Sequence, residues 1–368
     1  MNVLVTLATY QRAKTAYFLK ENLENENIDC FFDITYNIEK QKDQVKVQVR
    51  GEDVETAVKV MLGIKDKYGK DIEDIEPALD IRRIIVPVDF SIGSEHACYY
   101  AIHLAQKIKA EIKILHVYEN PVADDFIKKQ MATYEEYVTK TLEDTEKKVK
   151  ADIVSFTDKL KNYMDAQKIK NIRIHSSTAM GGIIQRIRVI SKNYKPDLIV
   201  LGTLGKKEES KSVFAGVANE ITKNLEIPLY AIPGPFSTRD FDRLNILYAT
   251  DFNEKDHTSL NRLLGIMEPF DKRITCIHID TAHNPSKKER MDELNTFLKE
   301  EYCEHEIYCR LIEDEDVYQG IHRFAEENNI NLLSFTTEKR GIFEKLFKPN
   351  LFKKVLQEAN LPILIFPS

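Results

Sequence analysis

At 368 residues the chain exceeds the size at which single hydrophobic cores stop growing, about 250–300 residues, and so predicts two or three domains. Apolar residues make up 43% and charged residues 30%, the balance of an ordinary globular chain, and a formal net charge of −6 argues against a nucleic-acid partner, which leaves a basic footprint. No run approaches the roughly 20 apolar residues of a membrane span, and the charged first helix follows too closely for a secretory signal, so the expectation is a cytoplasmic protein with no membrane partner.

The first segment opens with a β-rich run over 2–8, then apolar residues at helical spacing over 11–26 (Ala13, Ala16, Phe18, Leu19, Leu23). Two further β-rich runs cover 28–34 and 45–49, the second with Val45, Val47 and Val49 alternating against Lys46 and Gln48, as in a half-buried strand. A second helix is predicted over about 52–67, and residues 70–80 read as a linker. The order βαββα predicts a small ferredoxin-like α+β domain over 1–75. Ala16, Leu19-Lys20, Glu52-Asp53 and Ala57 give it a loose likeness: it resembles small bacterial domains assigned a signal-transducing role.

From Arg82 strands and helices alternate. Strands are expected at 84–88, 112–117, 172–176, 197–202 and 228–232, and helices at 95–109 (capped by Ser91 or Ser94), 182–194 and 215–224. Between the second and third strands, Met131 to Tyr163 carries an apolar seam at alternating steps of three and four. It predicts either a coiled-coil-like arm or a long crossover helix lying on the sheet. The third segment repeats the order, with strands at 245–249, 273–279, 306–311, 330–335 and 362–366 and helices at 256–267, 287–301, 315–328 and 350–359. Ile84-Ile85-Val86-Pro87-Val88-Asp89-Phe90 is echoed by Ile246 to Phe252, and Ile227-Pro228 to Pro233 by Leu361-Pro362 to Pro367. Asp89 and Asp251 are 162 residues apart, Pro228 and Pro362 134, and the shortfall falls at the long helix. The fold class predicted is α/β: two tandem open parallel five-stranded sheets with helices on both faces, at 81–236 and 241–368, behind the N-terminal domain.

A strand ending in Gly202-Thr203-Leu204-Gly205 and leading to Gly216 at a helix start is a recipe for phosphate binding: glycines admit close backbone approach and the helix dipole favours an anion. Asp89 sits just past the first strand, where open α/β sheets place ligands. Its carboxylate can accept hydrogen bonds from a ribose hydroxyl or an adenine amine, or simply cap the next helix; the sequence leaves both readings open. The second copy lacks these glycines. Phe343, Leu346 and Phe347 fill its loop, which predicts no adenine-nucleotide site there.

With these residues in place the middle segment resembles a universal stress protein domain. The resemblance rests on Pro87-Val88-Asp89-Phe90-Ser91, Leu115-His116-Val117, Pro196 to Thr203, the glycine loop, Ala218-Asn219-Glu220-Ile221 and Ile227-Pro228. It implies binding of ATP or AMP, with adenine and ribose contacts at Pro87, Asp89 and Val117. Phosphate contacts would fall on Leu201, Gly202, Gly205, Gly216, Val217 and Ala218. The chain departs from the family pattern by placing ten residues (206–215) between the last glycines and Val217 where a hydroxyl is usual. Glu208 and Glu209 oppose a triphosphate, partly offset by Lys206, Lys207 and Lys211. The last segment resembles the same family more distantly. The tandem arrangement implies an intrachain pseudo-dimer through 228–232 and 362–366, each an apolar edge strand that needs covering.

Five cysteines, at 30, 98, 276, 303 and 309, form neither a disulfide framework nor a zinc spacing and are expected as buried free thiols. The histidines form no metal-ligand set; His116 and His278 end equivalent strands, and His175 is placed near the pocket. No catalytic constellation assembles, and slow ATP hydrolysis is the most the residues imply. The expected function is a stress-response regulator that binds an adenine nucleotide in the middle segment. The alternative is a nucleotide-free scaffold that recruits a protein partner, with further homo-oligomerisation left open.

Overall fold

The structure is a computed structural model that describes residues 3–10, 13–24, 26–37, 42–72, 81–121, 134–203, 213–225, 227–234, 241, 243–252, 254–303, 305–337 and 361–367. The chain packs as two compact units, which cut across the three predicted domains. One comprises 1–79, 252–268 and 284–311; the other comprises 80–251, 269–283 and 312–368.

In the first unit, β1 (Leu4–Tyr10), α1 (Ala13–Glu24), β2 (Cys30–Asn37), β3 (Lys42–Arg50), a 3-10 turn (Gly51–Asp53) and α2 (Val54–Tyr68) follow the predicted βαββα order. They form an antiparallel sheet ordered β1-β3-β2. The alternation of valines on β3 works as expected: Val45, Val47 and Val49 are buried against Ala16, Leu19 and Leu23 of α1. α2 closes on Gly69 in the left-handed region (φ 64°), its amide bonded to Lys65 O. Ile72, expected in the linker, is instead 3% exposed and part of this core, so the linker begins later than predicted. The unit also takes in α7 (Glu254–Ile266) and α8 (Ser286–Glu301), with α1 packed on α7 and Phe297 of α8 against the core. Helices α7 and α8 of the last segment thus pack with the first unit.

The second unit holds the sheet strands β10-β9-β12-β13-β8-β7-β4-β5-β6, in that order. Its first half is β4 (Arg83–Val88), α3 (Ile92–Ile108), β5 (Glu111–Tyr118), α4 (Tyr134–Ala166), β6 (Ile174–Met180), α5 (Ile183–Tyr194), β7 (Leu198–Gly202), α6 (Val213–Asn224) and β8 (Leu229–Ile232). The later strands are β9 (Leu244–Ala249), β10 (Lys272–Asp280), β11 (Ile307–Glu313), β12 (Leu332–Thr336) and β13 (Ile363–Phe366), with α9 (Val317–Glu327) before β12. The helix expected at 350–359 and the loop residues Phe343, Leu346 and Phe347 lie outside the described residues. Strands 4, 5, 6, 7 and 8 run parallel, as do β9, β10, β12 and β13, and their central members are apolar on both faces as a doubly covered parallel sheet requires. β8 and β13 pair antiparallel, Tyr230 opposite Leu364, as predicted for the two closing strands. That one pairing joins both halves into a single sheet.

The two halves of this sheet make similar hydrogen bonds at several positions. Ile199 N bonds Pro228 O and Thr203 N bonds Ile232 O in one half; Leu333 N bonds Pro362 O and Thr337 N bonds Phe366 O in the other, at 2.8–3.0 Å throughout. Arg83 N donates to the Asp197 carboxylate (3.0 Å) where Asn245 N donates to Asn331 Oδ1 (2.9 Å). Of the two predictions for the long seam, the crossover helix describes its second half. Ile153, Phe156 and Leu160 of α4 are buried and the helix packs on β6 and α3, whereas Val138 and Leu142 stay half-buried. Cys30, Cys98 and Cys276 are buried free thiols, and burial pushes the Cys30 thiol up to about 12. Cys303 departs from the expectation: it is exposed, in the turn after α8.

Candidate functional site

The chain leaves β4 towards β5 on one side, and β7 enters on the other, so the carboxyl end of β4 is the point where the strand order reverses. Pro87 is buried in β4 opposite Leu115, and Val117 is half-buried one residue beyond the last β4–β5 partner pair. Asp89 follows β4 and is half-exposed. Its Oδ1 accepts the Ser91 amide at 3.0 Å, and among the described residues no hydrogen bond is made to its other oxygen. Ser91, not Asp89, caps α3: its hydroxyl accepts from Ser94 N at 3.2 Å, while the Ser94 hydroxyl donates to Ser91 O. The capping alternative for Asp89 is thereby filled by another residue. Because Ser91 takes this role, α3 starts at Ile92, earlier than the predicted 95.

Phe90 adopts φ 64°, a conformation that aromatic residues rarely occupy, and its ring stacks on His116 at 4.2 Å and approaches Phe156 at 5.4 Å. His116 Nδ1 is bonded to Val88 O at 2.8 Å, which fixes the imidazole across the ends of β4 and β5. The left-handed turn at Phe90 thus sends the aromatic ring onto α4 and His116, away from the path of the chain into α3. His175, placed near the pocket by the sequence, lies elsewhere. It is exposed near the amino end of β6, opposite Lys113, because β6 runs from 174 to 180 rather than from 172 to 176.

Leu201 is fully buried in β7. Gly202 follows it at a crossing of two backbones: a Cβ there would stand 2.3 Å from Gly93 O and 2.6 Å from Gly93 C in the first turn of α3. Glycine is therefore required by the packing of β7 against α3, whatever the loop binds. Thr203 is buried, its amide and hydroxyl both directed to Ile232 O. Gly205 lies outside the described residues. Gly216, Val217 and Ala218 fall inside α6, which starts at Val213 rather than at the predicted 215. Their amides come after the first, unsatisfied turn of the helix, and the side chains of Val217 and Ala218 are buried in the sheet-facing core. The structure therefore brings Pro87, Asp89, Val117, Leu201 and Gly202 to the carboxyl end of the sheet, and turns Val217 and Ala218 inward.

One residue that the sequence reading passed over stands at the same end. Arg186 of α5 donates from Nε to Met180 O at 2.6 Å, and the chain before it turns at Gly181 with φ 133°. A Cβ on Gly181 would meet Arg186 Nε at 2.9 Å, so this glycine gives the guanidinium room. Tyr118 O, the carbonyl ending β5, accepts the Gly181 amide at 2.8 Å. The run Met180-Gly181-Gly182 after a strand was the available signal.

At the corresponding end of β9 and β10, His278 Nδ1 bonds Thr250 O at 2.9 Å and lies 3.9 Å from Asp251 Oδ1. The Asp251 side chain is only 14% exposed. In the first unit, Phe252 repeats the left-handed turn (φ 58°), with Lys287 and Arg290 of α8 over its ring at 5.4 and 5.1 Å and Arg290 Nη2 donating to its carbonyl. Among the described residues, no group of three or more His, Cys, Asp or Glu side chains could hold a metal ion, and no helix is long and apolar enough to cross a membrane.

Residues 80–233 match the model of the universal stress protein family. A universal stress protein of Methanocaldococcus jannaschii is 23% identical over 154 residues, which cover 42% of this chain and 83% of that protein. The crystal structure of a universal stress protein from Archaeoglobus fulgidus superimposes with a TM-score of 0.55 at 15% identity, covering 77% of this chain and 98% of that one. The structural likeness thus extends beyond the stretch matched in sequence and shows the fold of that larger part. The match to the family model marks residues 80–233 as a universal stress protein family domain.

Proposed function

We propose that this chain is a stress-response regulator whose universal stress domain binds an adenine nucleotide at the carboxyl end of β4. The observation that carries the reading is Asp89: it stands at the reversal of strand order with one carboxylate oxygen fixed by Ser91 N, and the helix-capping task belongs to Ser91. Such a carboxylate suits a ribose diol or an amine better than a phosphate. Val217 and Ala218 turn inward and Gly202 serves the backbone crossing, which shifts the weight from the phosphates to the nucleoside and favours AMP over ATP. No catalytic step is assigned. The second half, with its matching hydrogen bonds, is read as a second universal stress domain that binds no nucleotide, and the first βαββα segment as a ferredoxin-like module.

Acid extraction of the purified protein followed by calorimetric titration with AMP and ATP tests the reading. The expected result is saturable heat with AMP, abolished by Asp89→Ala and unaffected by Asp251→Ala, with both variants folded by circular dichroism. Absence of heat at millimolar AMP and ATP would leave the nucleotide-free scaffold as the function.

A further inference from the structure

At the opposite end of the universal stress domain, we infer that the amino ends of β4, β5 and β6 form a second binding site, for a small phosphorylated anion. A cleft of about 610 Å³ opens there, lined by Arg82, Arg83, Lys109, Glu111, Asn171 and Arg173. Its volume is within the range of small-molecule sites, about 300–1,000 Å³. Four cations face one lining carboxylate in a chain whose net charge is −6. A second carboxylate, Asp197, accepts the amides of both Arg82 and Arg83 at 3.0 Å and so holds the two arginines' backbone at the cleft edge.

Folding accounts for only part of this charge. Arg83 lies over the Tyr194 ring at 5.9 Å, and Arg173 is paired with Glu111 at 3.3 Å while its side chain stays 79% exposed. The Arg173 guanidinium, largely in solvent beside the more covered Glu111 carboxylate, has further N–H donors to offer. Lys109 is the sharper case. It ends α3 in the left-handed conformation (φ 58°, ψ 38°), a position that glycine or asparagine fills without strain. A cation there suits the helix dipole, but the dipole does not explain Arg82 and Arg83 at the start of β4 or Arg173 just before β6. Lys168 and Lys195, which close α4 and α5, share the left-handed conformation (φ 57° and 48°). Guanidinium groups bind phosphate through paired N–H donors, and several of them around a small cleft select a ligand with two or more phosphate charges.

Titration of the full chain with inorganic pyrophosphate tests this. Saturable binding is expected, weakened about tenfold or more by Lys109→Gly and by Arg173→Ala, the scale of one charge-assisted contact. Lys109→Gly relieves the left-handed backbone, so its thermal midpoint should equal or exceed that of the parent; weaker binding then cannot be a folding defect. Lys161→Ala, an exposed cation on α4 paired with Asp158, should leave binding unchanged. Retention of pyrophosphate binding in Asp89→Ala separates this site from the nucleotide end. The inference fails if the parent gives no heat at millimolar pyrophosphate or if both cleft variants bind like the parent. It fails equally if Lys161→Ala weakens binding as much, if Asp89→Ala abolishes it, or if citrate binds more tightly than pyrophosphate.

Discussion

Gly202→Ala separates the architectural use of the loop glycine from any ligand role. The added Cβ would lie 2.3 Å from Gly93 O, 2.6 Å from Gly93 C and 3.0 Å from Ser94 N. All three are backbone atoms, so no side-chain rotation relieves the clash; either β7 or the first turn of α3 must move. That turn is itself pinned by the Ser91 cap, and Thr203 beyond the glycine is tied twice to Ile232 O. Overpacking in a well-packed core costs about 1–3 kcal/mol, and rigid neighbours on both sides place this case near the upper end, about 3 kcal/mol. For a folding unit of this size that corresponds to a fall in thermal midpoint of about 6–12 °C. The assay is thermal and urea unfolding without nucleotide. Gly63→Ala in α2 is the internal comparison: nothing lies within 4 Å of its added Cβ, and helix propensity predicts a gain of about 0.5–1 kcal/mol. If Gly202→Ala were as stable as the parent, the close approach of β7 and α3 would be wrong, and the glycine would have to be explained by what the loop binds.

Thr203→Val and Thr337→Val should each cost about 1 kcal/mol in urea unfolding, since both hydroxyls reach the carbonyl of the adjacent strand, Ile232 O and Phe366 O. A marked loss in one and none in the other would contradict the equivalence of the two halves. In α4, Leu160→Ala removes a fully buried side chain and should cost about 2–5 kcal/mol, whereas Leu142→Ala, half-buried, should cost less than about 1 kcal/mol. Equal losses would mean that the amino half of the helix is docked as firmly as the rest. Burial lowers the pKa of His103, whose Nε2 is bonded to Tyr163 OH at 2.9 Å, so the folded state takes up this proton less readily than the unfolded chain. The contribution is complete above about pH 6.5 and is lost as the pH falls below it; unfolding free energies of His103→Phe should therefore decline less than the parent's on acidification, and identical slopes would refute the assignment.

The strand ends were legible because apolar runs bounded by proline and aspartate mark parallel strands, and one set of such runs echoes another. The β8–β13 pairing, the Ser91 cap and the equivalence of His116 with His278 all follow from that pattern. The contact of α1 with α7, and of Phe297 with the N-terminal core, did not. Helical spacing shows that a helix has an apolar face but not which distant face covers it. Gly202 has a packing role that the sequence did not show, for a related reason. A glycine after a strand looks the same in sequence whether an anion or a backbone approaches it, and only the position of Gly93 distinguishes the two. His175 was misplaced because a polar strand such as β6, with exposed His175 and Ser176, carries no apolar run to fix its ends.

The two halves share a backbone skeleton, and their side chains at the sheet ends differ. Both hold a histidine by Nδ1 across the ends of their first two strands, and both follow the strand-end aspartate with a left-handed phenylalanine. In one, Phe90 lies on His116 and Asp89 keeps a half-exposed carboxylate with one oxygen held by the chain. In the other, Asp251 is largely covered beside His278, and Phe252 is engaged by Lys287 and Arg290 of α8. The second half completes the sheet through β13 with different groups at its strand ends. The half that keeps an accessible carboxylate at the strand reversal is the half in which binding is to be sought. The same reasoning applies to the other end of the first half. Lys109 closes α3 in a left-handed turn that glycine fills without strain, and it lines the cleft together with three arginines, which is where a bound anion is to be sought.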